Sequence, residues 1–268
     1  MILARKRFGQ NFLHDQGVIR RIVQSVAPQP GERVVEIGPG RGAITRPLLA
    51  ACERLDAVEI DRDLTALLRE PGADLDGLTV HEGDVLRFDF RALARERGGR
   101  LRVVGNLPYN ISTPLIFHLL DQIDAIADMH FMLQREVVER MAAAPGGGDY
   151  GRLTVMLAAQ VEVSPLFHIA PGCFTPAPQV ESAFVRLAPH AAPPFALPDP
   201  ALYAKLVSAA FSQRRKTLRN ALKGLADEAE IRAAGLDPGA RPERVGPAGY
   251  AALAAVLCDD TPSHGTSP

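Results

Sequence analysis

Glu36-Ile37-Gly38-Pro39-Gly40-Arg41-Gly42-Ala43 stands where a β-rich run, residues 33–37, gives way to a helical pattern. Glycines at such a strand-to-helix turn let the backbone approach a bound nucleotide closely. The run satisfies GxGxxA, and Glu59 follows roughly 20 residues on, where an acid holds a ribose hydroxyl pair. By itself the turn fits any nucleotide binder, including a dinucleotide-dependent dehydrogenase.

From residue 33 onward, short β-rich runs alternate with helical patterns. Strands are predicted at 33–37, 55–60, 78–82, 102–105 and 129–134, with later ones near 165–169 and 183–187. Helices are predicted at 16–26, 64–69, 114–120 and 136–142, where apolar residues recur at helical spacing. This alternation is the mark of βαβ units, so the fold class is α/β, Rossmann-like, with a seven-stranded, mostly parallel sheet. Gly146-Gly147-Gly148 reads as a flexible surface loop before a helix at 153–161. Pro189, Pro193, Pro194, Pro198 and Pro200 make residues 189–200 a semi-rigid linker and the expected domain boundary. Beyond it, 203–211, 217–226 and 248–257 read as helices of a small all-α domain over 201–258. The last begins with Gly246 as cap and Pro247 at the first helical position. The polar tail 259–268 is expected to be disordered.

With 47% apolar and 23% charged residues, the 268-residue chain has the balance of a soluble globular protein. No run reaches the ~20 apolar residues of a membrane span, and the start is too short for a signal-peptide core, so a cytoplasmic protein is expected. Cys52, Cys173 and Cys258 are too few and too scattered for a disulfide framework or a CxxC pair. The histidines show no metal-ligand spacing, so no metal is expected. A net charge of −1 offers a polyanion no global field. Local clusters remain: Arg5-Lys6-Arg7, Arg20-Arg21, and Arg214-Arg215-Lys216 with Arg219. Taken alone such runs read as solvated faces; beside the motifs below they become phosphate contacts.

Three features favour S-adenosylmethionine over a dinucleotide. Glu36 places a carboxylate beside the glycine turn, which would repel a pyrophosphate and suit the cationic amino acid end of the methyl donor. Asp84 follows the third strand, placed to accept from an adenine amine. Asn106-Leu107-Pro108-Tyr109 follows the fourth. An adenine amine is a poor nucleophile because its lone pair is delocalised into the ring. The Asn106 side-chain oxygen and the Leu107 or Pro108 carbonyl can each accept an amine hydrogen and aim that pair at a methyl carbon. Pro108 stiffens the loop, and Tyr109 would stack on the base. Phe174, in Phe174-Thr175-Pro176-Ala177-Pro178-Gln179-Val180-Glu181-Ser182, is a candidate for the opposite face of the base, with core packing as the rival reading.

These runs resemble the ribosomal RNA adenine N6,N6-dimethyltransferase family, most closely its bacterial small-subunit type. The likeness begins at Arg5-Lys6-Arg7-Phe8-Gly9-Gln10-Asn11-Phe12-Leu13 and continues through the glycine turn, Val58-Glu59-Ile60-Asp61, Gly83-Asp84-Val85 and 104–112 to 211–220, so it spans nearly the whole chain. The resemblance implies a class I methyltransferase domain over 1–188 with a basic N-terminal arm, followed by helices that dock RNA or ribosome. It implies that Asn11, Leu13, Gly38, Gly40, Glu59, Asp84 and Asn106 line an S-adenosyl-L-methionine pocket. Asn106, Leu107, Pro108, Tyr109 and Phe174 would handle the target base, and Arg5, Lys6, Arg7, Arg214, Arg215, Lys216 and Arg219 the RNA. The implied product is dimethyladenosine at two adjacent adenosines in the 3′-terminal hairpin loop of small-subunit (16S) RNA, within the immature small subunit. Val245-Gly246, where the family favours a hydroxyl residue, and the glycine-rich 146–148 depart from the pattern. Rival readings are an assembly factor acting mainly by binding, a DNA adenine methyltransferase, against which Leu107 in place of proline counts, and the dehydrogenase. A monomer is expected.

Overall fold

The computed structural model describes residues 10–259, which leaves Arg5, Lys6, Arg7 and nearly all of the expected tail outside the described residues. The chain forms two compact units, one taking in residues up to Val138 together with Glu162–Pro189, the other Glu139–Val161 and His190 onward.

The first unit is built on a seven-stranded sheet of β2 (Val34–Ile37), β3 (Leu55–Glu59), β4 (Leu78–Glu82), β5 (Leu101–Asn106), β6 (Ile126–Gln134), β7 (Val161–Ile169) and β9 (Ser182–Pro189). Their order is β4-β3-β2-β5-β6-β9-β7. The pairs from β4 through β6 are parallel, and β9 runs antiparallel to β6. All residues of β2 and β3 are buried, as expected of strands covered on both faces. Strand order reverses between β2 and β5, so a crevice opens at their carboxyl ends, the usual ligand position in such sheets.

The helices of this unit follow local signals. In α1 (Gln16–Val26), the Asp15 side chain accepts from the Val18 amide, Ile19, Ile22 and Val26 form the buried stripe, and Ala27 ends the helix in the left-handed region. α2 (Thr45–Cys52), α3 (Arg62–Leu68), α4 (Phe90–Arg97) and α5 (Ser112–Leu120) connect the parallel strands. Asp61 and Asp89 cap α3 and α4. A two-stranded sheet not foreseen from sequence pairs β1 (Phe12–Leu13) with β8 (Phe174–Thr175). Two-residue strands carry too little periodicity to be read.

α6 (Arg135–Met141) carries the chain out of the first unit. The second unit holds α7 (Arg152–Ala158), α8 (Pro200–Ser212), α9 (Leu218–Ala221), α10 (Glu228–Ala233) and α11 (Pro247–Asp259). Tyr150, Tyr203 and Tyr250 are buried in its core, and their hydroxyls donate to the Val245, Val155 and Pro242 carbonyls. A buried phenol that finds a carbonyl acceptor keeps its ring in the core without an orphaned polar atom.

The units divide after Pro189, at the start of the expected linker, but residues 139–161, expected in the sheet domain, belong with the helices that follow His190. Val155 and Tyr150 supply apolar surface to that core, which a linear reading of the chain assigns to the sheet domain. The helix expected over 153–161 stops at Ala158, since Val161 already begins β7. The one expected over 217–226 is regular only for Leu218–Ala221. The glycine loop lies on the surface, as expected, and is bonded to its own unit: Gly146 donates to the Glu243 carbonyl and Arg214 donates to the Gly147 and Gly148 carbonyls.

Candidate active site

A cavity of about 590 Å³ occupies the crevice at the carboxyl ends of β2, β3, β4 and β5. The glycine turn forms one wall. Gly38 and Gly40 have φ of +66° and +58°, the left-handed region that favours glycine. A Cβ on Gly38 would have as its nearest neighbour the Asn106 carbonyl oxygen at 3.9 Å, so the glycine turn and the Asn-Leu-Pro-Tyr loop lie side by side. A Cβ on Gly40 would press on the Phe12 ring at 3.3 Å, and the Arg41 guanidinium covers that ring at 4.3 Å.

Glu59 ends β3 with its carboxylate in the cavity wall. It accepts from the Asp61 amide at 2.9 Å and from the Gly40 amide at 3.3 Å. Burial raises its carboxyl above the ordinary value, and the Asp61, Gly40 and Ile60 amides oppose the rise by favouring the charged form. Each oxygen keeps a further lone pair for a ribose hydroxyl. Asp84 uses one oxygen to accept from the Leu86 amide, 3.0 Å, and leaves the other for an amine donor. Ile60, an apolar side chain left 48% exposed, lines the cavity between these acids and suits the face of an adenine. Two carboxylate acceptors, an apolar ledge and a wall without side chains make a lining that fits an adenosyl group.

Asn106 closes β5. Its Nδ2 donates to the Asn11 carbonyl at 2.9 Å, which turns Oδ1 the other way. Leu107 donates its amide to the Met132 carbonyl, and the Pro108 carbonyl accepts from the Ile111 amide, 3.1 Å each. Of the two carbonyls considered from sequence, that of Leu107 is the one the turn does not already use. Tyr109 lines the cavity, its hydroxyl 3.0 Å from Ser182 Oγ.

The cavity thus brings together Asn11, Leu13, Gly38, Gly40, Glu59 and Asp84, and with them Asn106, Leu107, Pro108 and Tyr109. Phe174 does not join them: it is 3% exposed, sits opposite Leu13 in the small sheet, and packs in the core, so the rival reading holds for that ring. Glu36 also corrects the sequence reading. It points into the interior, neither oxygen has a hydrogen-bond partner among the described residues, and burial pushes its carboxyl up to about 8. The neighbouring Thr45 hydroxyl eases the effect without reaching hydrogen-bond geometry, and the Glu59 charge adds to it. A neutral acid behind the turn offers the cavity no charge. Sequence reasoning missed the bond from Gln10 to Asp61, 3.1 Å, which fastens Gln10 to the turn that follows β3. Ser182, the last residue of the proline-rich motif, reaches the site through Tyr109, a contact no local pattern signals.

In the second unit the basic run divides. Arg214 is spent on the glycine loop, and Arg219 pairs with Glu228 at 3.1 Å. Arg215 and Lys216 are exposed, with no acceptor among the described residues.

A parallel sheet with a glycine turn at its switch point and an Asn-Leu-Pro-Tyr loop on the adjoining strand defines a class I methyltransferase. The model of the family described as ribosomal RNA adenine dimethylase matches residues 1–255, and the chain belongs to that family. It is 55% identical over 256 residues to the ribosomal RNA small subunit methyltransferase A of Pseudomonas fluorescens, covering 96% of this chain and 94% of that one. To the protein of the same name from Methylococcus capsulatus it is 57% identical over 255 residues, covering 95% and 98%. The crystal structure of the 23S rRNA methyltransferase ErmE superposes with a TM-score of 0.70 at 27% identity, covering 92% of this chain and all of that one. A dimethyladenosine transferase from Plasmodium falciparum, 23% identical with a TM-score of 0.70 and covering 90% and 95%, shares the fold.

Proposed function

We propose that this enzyme transfers methyl groups from S-adenosylmethionine to the N6 amines of two adjacent adenosines in the 3′-terminal hairpin loop of small-subunit ribosomal RNA, yielding dimethyladenosine. The observation that carries the reading is the pair of acceptors at the end of β5: the Asn106 amide, oriented by Asn11, and the free Leu107 carbonyl, both on the wall beside Gly38. Small-subunit RNA as substrate is supported by the relatives' names.

When bound, the donor supplies a sulfonium-activated methyl group. Glu59 would hold its ribose and Asp84 its adenine amine, while the glycine turn lets it lie close to the backbone. Asn106 Oδ1 and the Leu107 carbonyl accept the two hydrogens of the target amine, favouring a pyramidal nitrogen whose lone pair faces the methyl carbon. Tyr109 stacks on the base and holds it out of its strand. Alignment within ~3–3.5 Å then accounts for most of the catalysis, and the excess proton leaves to water. In the second transfer the nitrogen already carries a methyl group, so only one amine hydrogen bond persists.

Arg215 and Lys216 would meet RNA phosphates in the immature small subunit, with the segment holding Arg5, Lys6 and Arg7 as a further contact. No helix among the described residues is long and apolar enough to cross a membrane; a cytoplasmic monomer is the proposed working form. The test is to incubate the protein with S-adenosylmethionine and undermethylated small subunits, digest the RNA and weigh the nucleosides. Dimethyladenosine is expected; its absence would overturn the reading.

A further inference from the structure

We infer that the Ser182 hydroxyl is a positioning residue that drives the reaction through its second step, raising the yield of dimethylated over monomethylated product by holding the Tyr109 ring in place. The inference rests on the function proposed above and adds a determinant of how far that reaction runs.

Ser182 is the first residue of β9, opposite Gln134 of β6, and it is 1% exposed. Its Oγ lies 3.0 Å from the Tyr109 hydroxyl, joining residues 73 positions apart, and either oxygen can donate. Tyr109 is also held at its main chain, where its carbonyl accepts from Ser112 Oγ at 3.1 Å. Pro108 restricts the backbone just before it. The residue is therefore held at its main chain by the start of α5, and its ring is tied at the tip alone, to a strand of the sheet. Without the tip contact, rotation about the Tyr109 side-chain bonds is limited only by packing against a cavity wall.

The two transfers use the same chemistry. In each, the bond from sulfur to methyl breaks with its electron pair going to sulfur, the N6 lone pair forms the new bond to carbon, and an N6 proton passes to water. What differs is how the nitrogen is aimed. The unmethylated amine offers two hydrogens, one for Asn106 Oδ1 and one for the Leu107 carbonyl, and these two bonds fix its orientation. The monomethylated amine offers one, so a larger share of the alignment falls to the stack on Tyr109. A loosened ring consequently penalises the second transfer more than the first, and monomethyladenosine accumulates.

The experiment measures mono- and dimethyladenosine by mass after wild type, Ser182→Ala, Ser182→Thr, Tyr109→Phe and the double variant Ser182→Ala/Tyr109→Phe act on undermethylated small subunits with S-adenosylmethionine. Ser182→Ala and Tyr109→Phe are each expected to raise the mono-to-di ratio roughly three- to tenfold, the scale of one hydrogen bond. The double variant should go no further than either single one, because both remove the same contact. Ser182→Thr, which keeps the hydroxyl, should stay near the wild-type ratio. An unchanged ratio in both single variants, or effects that multiply in the double, overturns the inference. Tyr109→Phe alone decides if Ser182→Ala fails to fold. Wild type that methylates no adenosine would defeat the underlying function, a result distinct from dimethylation with an unmoved ratio.

Discussion

Asn106 and Asn11, 95 positions apart, are joined by a hydrogen bond of 2.9 Å from the Asn106 side-chain amide to the Asn11 backbone carbonyl. The bond decides which end of the amide faces the cavity. A free asparagine could present either its NH2 or its oxygen, and only the oxygen can accept from an adenine amine. Because the partner is a main-chain carbonyl, the control comes from the path of residues 10–14. Gln10 bonds Asp61, Leu13 pairs with Phe174, and His14 donates its amide to the Cys173 carbonyl. Asn106→Ala is therefore expected to lower kcat by roughly 10²–10³-fold, the scale seen when one transition-state hydrogen bond is removed. Cofactor affinity should change far less. Initial rates with labelled donor, set beside calorimetric binding of the donor, separate the two; equal losses in both would contradict the assigned role.

Glu59 makes the opposite prediction. Its oxygens accept from the Gly40 and Asp61 amides, so a glutamine there must either turn an NH2 toward an amide N–H or give up one of those bonds. Glu59→Gln is expected to weaken S-adenosylmethionine binding roughly 10–100-fold, as charged hydrogen bonds are worth ~1.5–3 kcal/mol. Since burial raises this carboxyl, affinity in the wild type should begin to fall on acidification at a higher pH than an ordinary glutamate would give. Calorimetry across that range reads both effects.

Much of this architecture was legible because the signals are local. The strand at 78–82 and the helix at 16–26 emerge with the same limits, since each couples a clear period to a turn or cap signal. The glycine turn, Glu59, Asp84 and Asn106 were readable because the carboxyl ends of successive parallel strands converge whatever lies between them. What failed depends on distant chain. Nothing near Phe174 in sequence says that it pairs with Leu13 and joins the core, and nothing near Glu36 says that its oxygens face the interior. Residues 139–161 join the helical core through Tyr150 and Val155, and no composition change marks that crossing.

Glu36 gives the fold a pH dependence whose sign is fixed by burial. Its carboxyl is near 8 in the folded chain against 4.5 for the free group, so between those values the folded state keeps a proton that the unfolded chain has released. Stability is therefore full below the lower value, falls as pH rises through the window, and levels off above about 8. Glu36→Gln carries no proton to lose. Its unfolding free energy should exceed that of the wild type at alkaline pH by on the order of a few kcal/mol, giving a higher thermal midpoint there, and converge with it in acid. Melting curves between acid and alkaline buffer check this; parallel profiles for the two proteins would refute it.

Arg215 and Lys216 are the cations of their run left free to meet phosphate, whereas Arg214 and Arg219 serve the fold. Removing both free charges, Arg215→Ala with Lys216→Ala, should weaken RNA binding and flatten its dependence on salt by about 1.5 in the log–log slope, two contacts at ~0.7–0.9 each. Melting temperature should be unaffected. Arg214→Ala is expected instead to lower the melting temperature, because the Gly147 and Gly148 carbonyls lose their donor. Filter binding at several salt concentrations, paired with melting curves, distinguishes the two outcomes.

Gly105 is required for space and not for backbone freedom. It pairs with Ile37 across β5 and β2, and a Cβ there would stand 2.8 Å from the Ile37 carbonyl oxygen and 3.1 Å from Leu107 Cδ2. The carbonyl belongs to a central strand and cannot swing aside, so the strands would have to part at the point where the glycine turn and the Asn-Leu-Pro-Tyr loop begin. Gly105→Ala should cost roughly 1–3 kcal/mol, the range for overpacking a core. Activity should drop by more than the loss of folded protein explains, since displacing β5 moves Asn106. Gly148→Ala is the control: a Cβ there meets nothing within 4 Å, so its melting temperature should match the wild type. Equal behaviour of the two variants would show that the close approach of β2 and β5 does not constrain the site.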